Sequence, residues 1–312
     1  MHHTNHRTFG RYLLVIAFPL LVVTLIFTAY LLKGGSILAG DENSQKEYED
    51  FDAGNFSNPT NIDNEWMPLK PGMRLVYAGT TLTDEGDPVP HRVVINVTDL
   101  TKVIGGVRSL VSWDLDYSSG VLVEAELAFF AQDNDGNVWR LGEHPEEYEN
   151  GKMVGNPTWI HGIKGSVAGI SMKADPKLGT PSYSQGWAPD VEFTDRGQVH
   201  KMGVETCVPM GCYEDALVIA EGSKAEPDAQ QLKYFARGVG NVRVGWMGEG
   251  EKTQEVLRLV DLMQLGADGL AKMREEALAL EKHAYEVNKE VYGQTMPLEP
   301  LTGAKGKGKK GK

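Results

Sequence analysis

The chain has 312 residues, 41% of them hydrophobic and 24% charged, which suits one large globular domain or two small ones. Its net charge of −12 argues against a nucleic-acid binder, because such a protein needs a basic face to replace the counterions on phosphate. No phosphate loop, dinucleotide fingerprint or G-x-S-x-G elbow occurs, so the sequence announces no cofactor and none is expected.

The first element is the run "YLLVIAFPLLVVTLIFTAYLL", Tyr12 to Leu32, which carries no charge. About 20 apolar residues cross a bilayer as a helix, and membrane helices tolerate an internal proline such as Pro19. Tyr12 and Tyr30 fall near the two interfaces, where amphipathic rings prefer to lie. Arg7 and Arg11 precede the run and an acidic stretch follows Lys33. The positive-inside rule therefore puts residues 1–11 in the cytoplasm and the rest outside, as a single-pass protein held in the cytoplasmic membrane by residues 12–32. The rival is a cleaved signal peptide; its apolar region is usually only about 7–15 residues long, and Ile37-Leu38-Ala39 is a fair match to a cleavage site. No Cys follows "ILAG", which excludes a lipid-attached N-terminus.

Residues 33–64 are polar, acidic and without apolar period, and are expected to be a flexible tether. From about residue 65 to 262 the chain alternates β-branched and aromatic runs with Gly, Pro, Asn and Asp: "RLVYAGTTLT", "HRVVINVTDL", "VRSLVSWDLDY", "VLVEAELAFFAQ", then "CYEDALVIAEG", "QLKYFARG", "NVRVGWMG" and "TQEVLRLVDL". Val93, Ile95 and Val97 share one face of their strand. So many short strands without intervening helices predict a mainly β fold, an antiparallel meander forming a barrel or a strongly curved sheet. Within it, "FFAQDNDGNVWRLGE" spaces Asp133, Asp135 and Asn137 two apart, like the start of a calcium loop. Gly136 comes too early for an EF-hand and both flanks look like strands, so a hairpin turning at Asp135-Gly136 is preferred and no metal is favoured.

The phrases "WMPLKPGMRLVY", "FFAQDNDGNVWRLGE", "CVPMGCYEDALVI" and "KYFARGVGNVRV" occur in this order. Together they resemble a loosely defined group of bacterial exported or lipid-anchored β-rich proteins, whose patterns run "PLxPGtxwxY", "YAQDxxGNVWyxGE", "vPaGxfxdxLv" and "yaxGvGxV". The resemblance covers most of residues 66–262 and implies an extracytoplasmic β-rich domain; it brings no activity with it. This chain departs from the group in having a membrane helix in place of a lipid-attachment Cys, and in carrying Cys207 and Cys212. An even pair of cysteines outside the cytoplasm predicts a disulfide, here across "VPMG"; thioredoxin-like pairs have two intervening residues, not four.

Other candidates for chemistry are scattered. His91, His144, His161 and His200 lack metal-site spacing, although His144 stands among Glu143, Glu146 and Glu147. Trp113, Trp139, Trp159, Trp187 and Trp246 would line an apolar pocket if one barrel enclosed them, ordinary core packing being preferred. Over residues 266–293, Leu270, Met273, Ala277, Leu280, Ala284, Val287 and Val291 recur at helical spacing. This stripe either lies on the β-domain or binds a protein partner. Residues 294–312 are expected to be a disordered basic tail, Gly and Lys alone after Ala304, whose cations would suit an anionic partner.

Two functional classes remain. The preferred one is a membrane-anchored, non-enzymatic binding module or accessory subunit of an envelope or membrane complex. The alternatives are an envelope hydrolase with a non-motif active site and a carrier of an apolar ligand. The anchor is directly testable: the full-length protein should stay in the membrane through a carbonate wash, with external protease digesting the domain. Recovery of a soluble chain beginning near Gly40 would overturn it.

Overall fold

The computed structural model describes residues 46–301, apart from 84, 224, 225 and 227. The expected membrane helix over 12–32 and the Lys-rich end lie outside these residues. Among the described residues no helix is long and apolar enough to cross a membrane.

Two antiparallel meanders build the sheet. The first runs β1 (Met73–Leu82), β2 (Pro88–Ile104), β3 (Val107–Ser118), β4 (Val121–Gln132) and β5 (Val138–Glu149). The short β6 (Lys152–Gly155), β7 (Trp159–Ile160) and β8 (Val167–Met172) pair with β5. After β9 (Tyr183–Ser184) and β10 (Gly186–Trp187) comes the second meander: β11 (Arg196–Val208), β12 (Gly211–Gly222), β13 (Gln230–Ala236), β14 (Gly240–Met247) and β15 (Val256–Gln264). β15 returns to pair with β1, joining the two meanders into one sheet. Helix α1 (Ala267–Val287) follows, and β16 (Glu299–Pro300) adds to β2.

The hydrogen-bonded order is β10-β8-β5-β4-β3-β2-β1-β15-β14-β13-β12-β11-β9. The ladder is open, which corrects the expectation of a barrel. Yet its two terminal strands are separated in the chain by Gln185 alone, so the sheet curls until both ends reach one segment: Tyr183–Ser184 pairs with β11, Gly186–Trp187 with β8. The ladder breaks there because Gln185 turns its N–H to Asp195 O (2.8 Å) instead of to a neighbouring strand. Gly169 permits the approach, since a Cβ at that position would lie 2.1 Å from Gly186 N and 2.2 Å from the Gln185 carbonyl carbon.

This curl gives the sheet an inner and an outer face, each with its own core. Inside, Leu75, Tyr77, Val97, Leu110, Ala128, Phe130, Leu217, Ile219, Phe235, Val244 and Leu259 pack round Ile62, Trp66 and Leu69. Outside, Leu100, Val111, Leu127, Phe129 and Leu141 pack against Ala277, Leu280 and Ala284 of α1. Strand β4 shows the division residue by residue: Leu127, Phe129 and Ala131 go out, Ala128 and Phe130 go in.

Residues 46–64 are not the tether expected over 33–64. Phe51 and Phe56 pack edge-on against Trp139, Asn55 Nδ2 donates to Asp135 Oδ2 (2.8 Å), and the Ser57 hydroxyl to Asn134 Oδ1 (2.6 Å). A polar stretch with no apolar period is fixed because its amides and hydroxyls match the acceptors of the β4–β5 turn. Residues 294–301 of the tail expected over 294–312 are packed on the domain: Leu298 is buried, and Leu301 N–H donates to Asp99 O (2.7 Å).

The stripe on α1 faces its own sheet. Met273, Ala277, Leu280 and Ala284 are buried, as is Val291 beyond the helix end, while Leu270 and Val287 are half-buried. Five of the seven residues are therefore covered by the protein's own fold. The helix is also pinned by charge. Lys102, fully buried on β2, donates to Glu281 Oε1 (3.2 Å) and Met296 O (2.7 Å), with the ring of Tyr292 4.2 Å away. Burial lowers the Lys102 pKa to about 8, although Glu281 works against the shift. Removing one member of such a pair strands the other in a dry site. Glu281→Gln should cost about 3–5 kcal/mol in urea denaturation, and Lys102→Met combined with Glu281→Leu should recover most of it.

Candidate functional site

Charge on the inner face follows from strand periodicity. "SWDLDY" turns Asp114 and Asp116 to the same side as Leu110 and Ser112, and "VEAEL" turns Glu124 and Glu126 to the side of Ala128. The register then sets Asp114 opposite Glu126, Asp116 opposite Glu124, and Glu124 opposite Glu147 of β5. A register shift in the β4–β5 ladder brings both Arg140 (opposite Phe130) and Glu143 (opposite Ala128) onto this face. Across the curl, Glu221 of β12 lies beside Lys233 of β13, and Glu255, just before β15, lies beside His91 of β2. Eight carboxyl groups thus share one end of the inner face with Arg140, Lys233 and His91.

Each cation is already engaged. Arg140 donates to Glu143 Oε2 (2.5 Å), Lys233 to Glu221, and His91 Nε2 lies 2.9 Å from Glu255 and 3.4 Å from Asp116. Gln185 at the seam donates to Glu221 Oε1 (2.7 Å), and Gln231 to Glu255 Oε2 (2.9 Å). The side chains of Arg140, Asp116 and Lys233 remain 27%, 28% and 30% exposed, so solvent enters this basin.

The electrostatics follow from depth and crowding. Burial raises Asp114 to about 6 against the opposing hydrogen bond from Ser112. Burial, and then the charge of Glu143, push Glu126 well above the usual carboxylate range. Burial would depress Arg140, but Glu143, Glu126 and Asp114 outweigh it and raise the guanidinium. His91 is raised as well, its burial outweighed by Glu255 and Asp116.

A second constellation lies on the outer face under α1. Thr158 Oγ1 is 2.6 Å from His144 Nδ1, and His144 Nε2 is 3.2 Å from Glu146 Oε1, the hydroxyl, imidazole and carboxylate order of a hydrolase. Thr158 is 2% exposed, in the wall of a surface cleft shared with Asn156, Trp159 and Asn288, and His144 and Glu146 are not exposed at all. Glu146 also bonds His283 Nδ1 of α1 (2.7 Å) and the Tyr148 hydroxyl (2.5 Å). These bonds outweigh burial and hold its pKa below the usual range. The group is a latch between helix and sheet.

The remaining sequence candidates do not converge. Cys207 and Cys212, directly paired in the β11–β12 ladder, form a disulfide at the hairpin end. Asp133 accepts from Asn137 N, Asn137 Nδ2 and Trp139 Nε1, each at 2.8 Å, while Gly136 takes a φ of +90°. The loop is a hairpin in which Asp135 Oδ2 accepts from Asn55 and Asn137 Oδ1 from Ala174 N; among the described residues no cluster of His, Cys, Asp or Glu is arranged to hold a metal. His161 packs against Phe51, and His200 lies on β11. The tryptophans are dispersed: Trp139 and Trp159 are buried, Trp113 packs on the outer core, Trp187 sits at the seam and Trp246 is exposed, so they form no common apolar pocket. The acids of β3 and β4 were the missed residues. Their period-two spacing was visible in "DLD" and "EAE" but reads equally as a solvated face.

No family model matches the sequence, and no curated protein matches it. Among solved structures, the chain resembles a presumed exported protein with YmcC-like fold from Bacteroides fragilis, at a TM-score of 0.38 and 11% identity over 64% of this chain and 99% of that one. It also resembles a presumed lipoprotein from Parabacteroides distasonis, at a TM-score of 0.35 and 13% identity over 64% and 100% of the two chains. Likeness of this degree bears on neither activity nor location.

The acids make a stability prediction with a definite sign. Asp114 holds its proton to about pH 6 in the fold, against an ordinary value of 3.8, so the folded state binds the extra proton. Stability therefore falls as pH rises from about 4 to about 6 and stays lower above that range. Asp114→Asn should raise stability at pH 7.5 by on the order of 1–3 kcal/mol and change it little at pH 4. Equal effects at both pH values in urea denaturation would contradict the assignment.

Proposed function

We propose that this chain is a membrane-anchored extracytoplasmic binding module whose ligand enters the acidic basin of the curved sheet. The observation that carries this reading is the gathering of Asp114, Asp116, Glu124, Glu126, Glu143 and Glu147 at one end of an inner face whose remainder packs as an apolar core. A core that served only stability would be better filled with apolar side chains, and crowded carboxyls that weaken the fold are a common mark of a functional site. The disulfide and the apolar run of residues 12–32 support an extracytoplasmic position, as does the resemblance to exported β-rich proteins. The hydrolase alternative is disfavoured because His144 and Glu146 are fully buried and Glu146 is engaged in tying His283 of α1 to the sheet. Carriage of an apolar ligand is disfavoured by the polar lining.

Native mass spectrometry on the full-length protein, purified from membranes in detergent, tests this. The wild type should carry a small-molecule guest, lost in Ser118→Trp, which fills the basin opposite His91. Wild-type protein isolated without any guest, and equal in ligand content to Ser118→Trp, would overturn the proposal.

A further inference from the structure

Asp114 and Glu126 are directly opposite in the β3–β4 register, on the inner face. Like charges so placed repel, and a strand pair normally avoids them or sets a cation between. Of this protein's own cations on that face, Arg140 lies near enough for its charge to act on both carboxyls, but the hydrogen bond it makes goes to Glu143, while Lys233 is paired with Glu221 and His91 with Glu255 and Asp116. Asp114 accepts one hydrogen bond, from the Ser112 hydroxyl at 2.5 Å. Glu126 fares worse: its Oε1 is fully buried and has no hydrogen-bond partner. A buried carboxyl oxygen left without a donor is among the costlier defects a fold can retain, and it points to a donor supplied from outside.

The chemistry of that donor is constrained. A bare metal ion would need several ligating groups converging on one point, and among the described residues none do. The two carboxyls instead lie side by side across the β3–β4 pair, which suits a group with several N–H donors spread over a few ångströms. We infer that Asp114 and Glu126 together receive the ammonium or guanidinium group of an organic cation, Glu126 Oε1 accepting its N–H. The inference rests on the binding reading above and names the ligand class of that same basin.

The groups facing the pair set the pH dependence. Asp116 and Glu124 flank it from β3 and β4, Arg140 and Glu143 face it from β5, and Glu221 adds its charge to Arg140 from β12. The net field is negative, so it attracts a cation and at the same time holds protons on the pair. Binding must release such a proton to solvent, and affinity therefore increases with pH until both carboxyls are ionised. Neighbouring Arg140, bonded to Glu143 with its guanidinium 5.2 Å from the Phe130 ring, limits the guest to one cationic head at this end.

The experiment is calorimetric titration of the full-length chain in detergent at low salt, with agmatine and cadaverine as probes and calcium chloride as a control. One probe should bind at 1:1, at least tenfold tighter at pH 8 than at pH 6, with heats that differ between buffers of different ionisation enthalpy because a proton is released. Glu126→Gln should weaken binding at least tenfold and Asp114→Asn similarly. Glu299→Gln, which removes only the partner of Arg108 on β16, should bind as the wild type does. Absence of binding by both probes at pH 8, or unchanged affinity in Glu126→Gln, overturns the inference, as would calcium binding in their place. A guest that proves anionic or neutral in the mass measurement sinks the cation class and leaves the binding module standing. Probe binding unaffected by Ser118→Trp sinks both.

Discussion

A strand covered on both faces cannot carry a charge without giving it a partner, and β2 to β5 are covered on both faces. One side of each strand looks into the curl of the sheet and the other lies beneath α1, so Phe129 and Phe130, adjacent in the chain, belong to different cores. Polar residues in the middle of these strands, such as Lys102, Glu143 and Glu146, are thereby brought into a setting where water does not freely compensate them. The arrangement of the whole molecule can be followed from how each such residue is answered.

On the outer face the answers are complete. Lys102 meets Glu281, a backbone carbonyl and an aromatic ring, and Glu146 gathers two imidazoles and a phenol. These groups knit helix to sheet at a defined register, a role that buried polar pairs can serve even where apolar residues would give equal stability. On the inner face the answers stop short. Three cations are shared among eight carboxyls, and Glu126 keeps an oxygen with no donor. One cluster is a finished joint; the other keeps an acceptor without a donor, and the two differ although they occupy opposite sides of the same strands.

How much of this could be read from the sequence depends on the range of the interaction. Alternation in "HRVVINV" predicted the inner face of β2 because period-two patterning is local. The hairpin at Asp135-Gly136 and the Cys207–Cys212 bridge were also legible, since a turn and a short loop are closed by neighbours in the chain. The helix stripe was visible, but which surface covers it is decided by Leu100, Leu127 and Leu141, far away in sequence. The ordering of residues 46–64 escaped notice for the same reason: Asn55 and Ser57 find Asp135 and Asn134 only once β4 and β5 have turned. The acidic basin was hidden by a further ambiguity. "DLD" and "EAE" look like the solvated side of an amphipathic strand, and only the curl of the sheet encloses that side.

That curl ends in a segment with an uncommon duty. Sheets left open expose two rows of unpaired backbone donors and acceptors, each able to recruit a strand from another chain. Here Tyr183–Ser184 occupies one row and Gly186–Trp187 the other, joined through Gln185. A single local opening of these few residues would therefore uncover both edges at once. Resistance to self-association in this molecule resides less in the many long strands than in the hold that Gly169, Asp195 and Glu221 keep on one short stretch of chain.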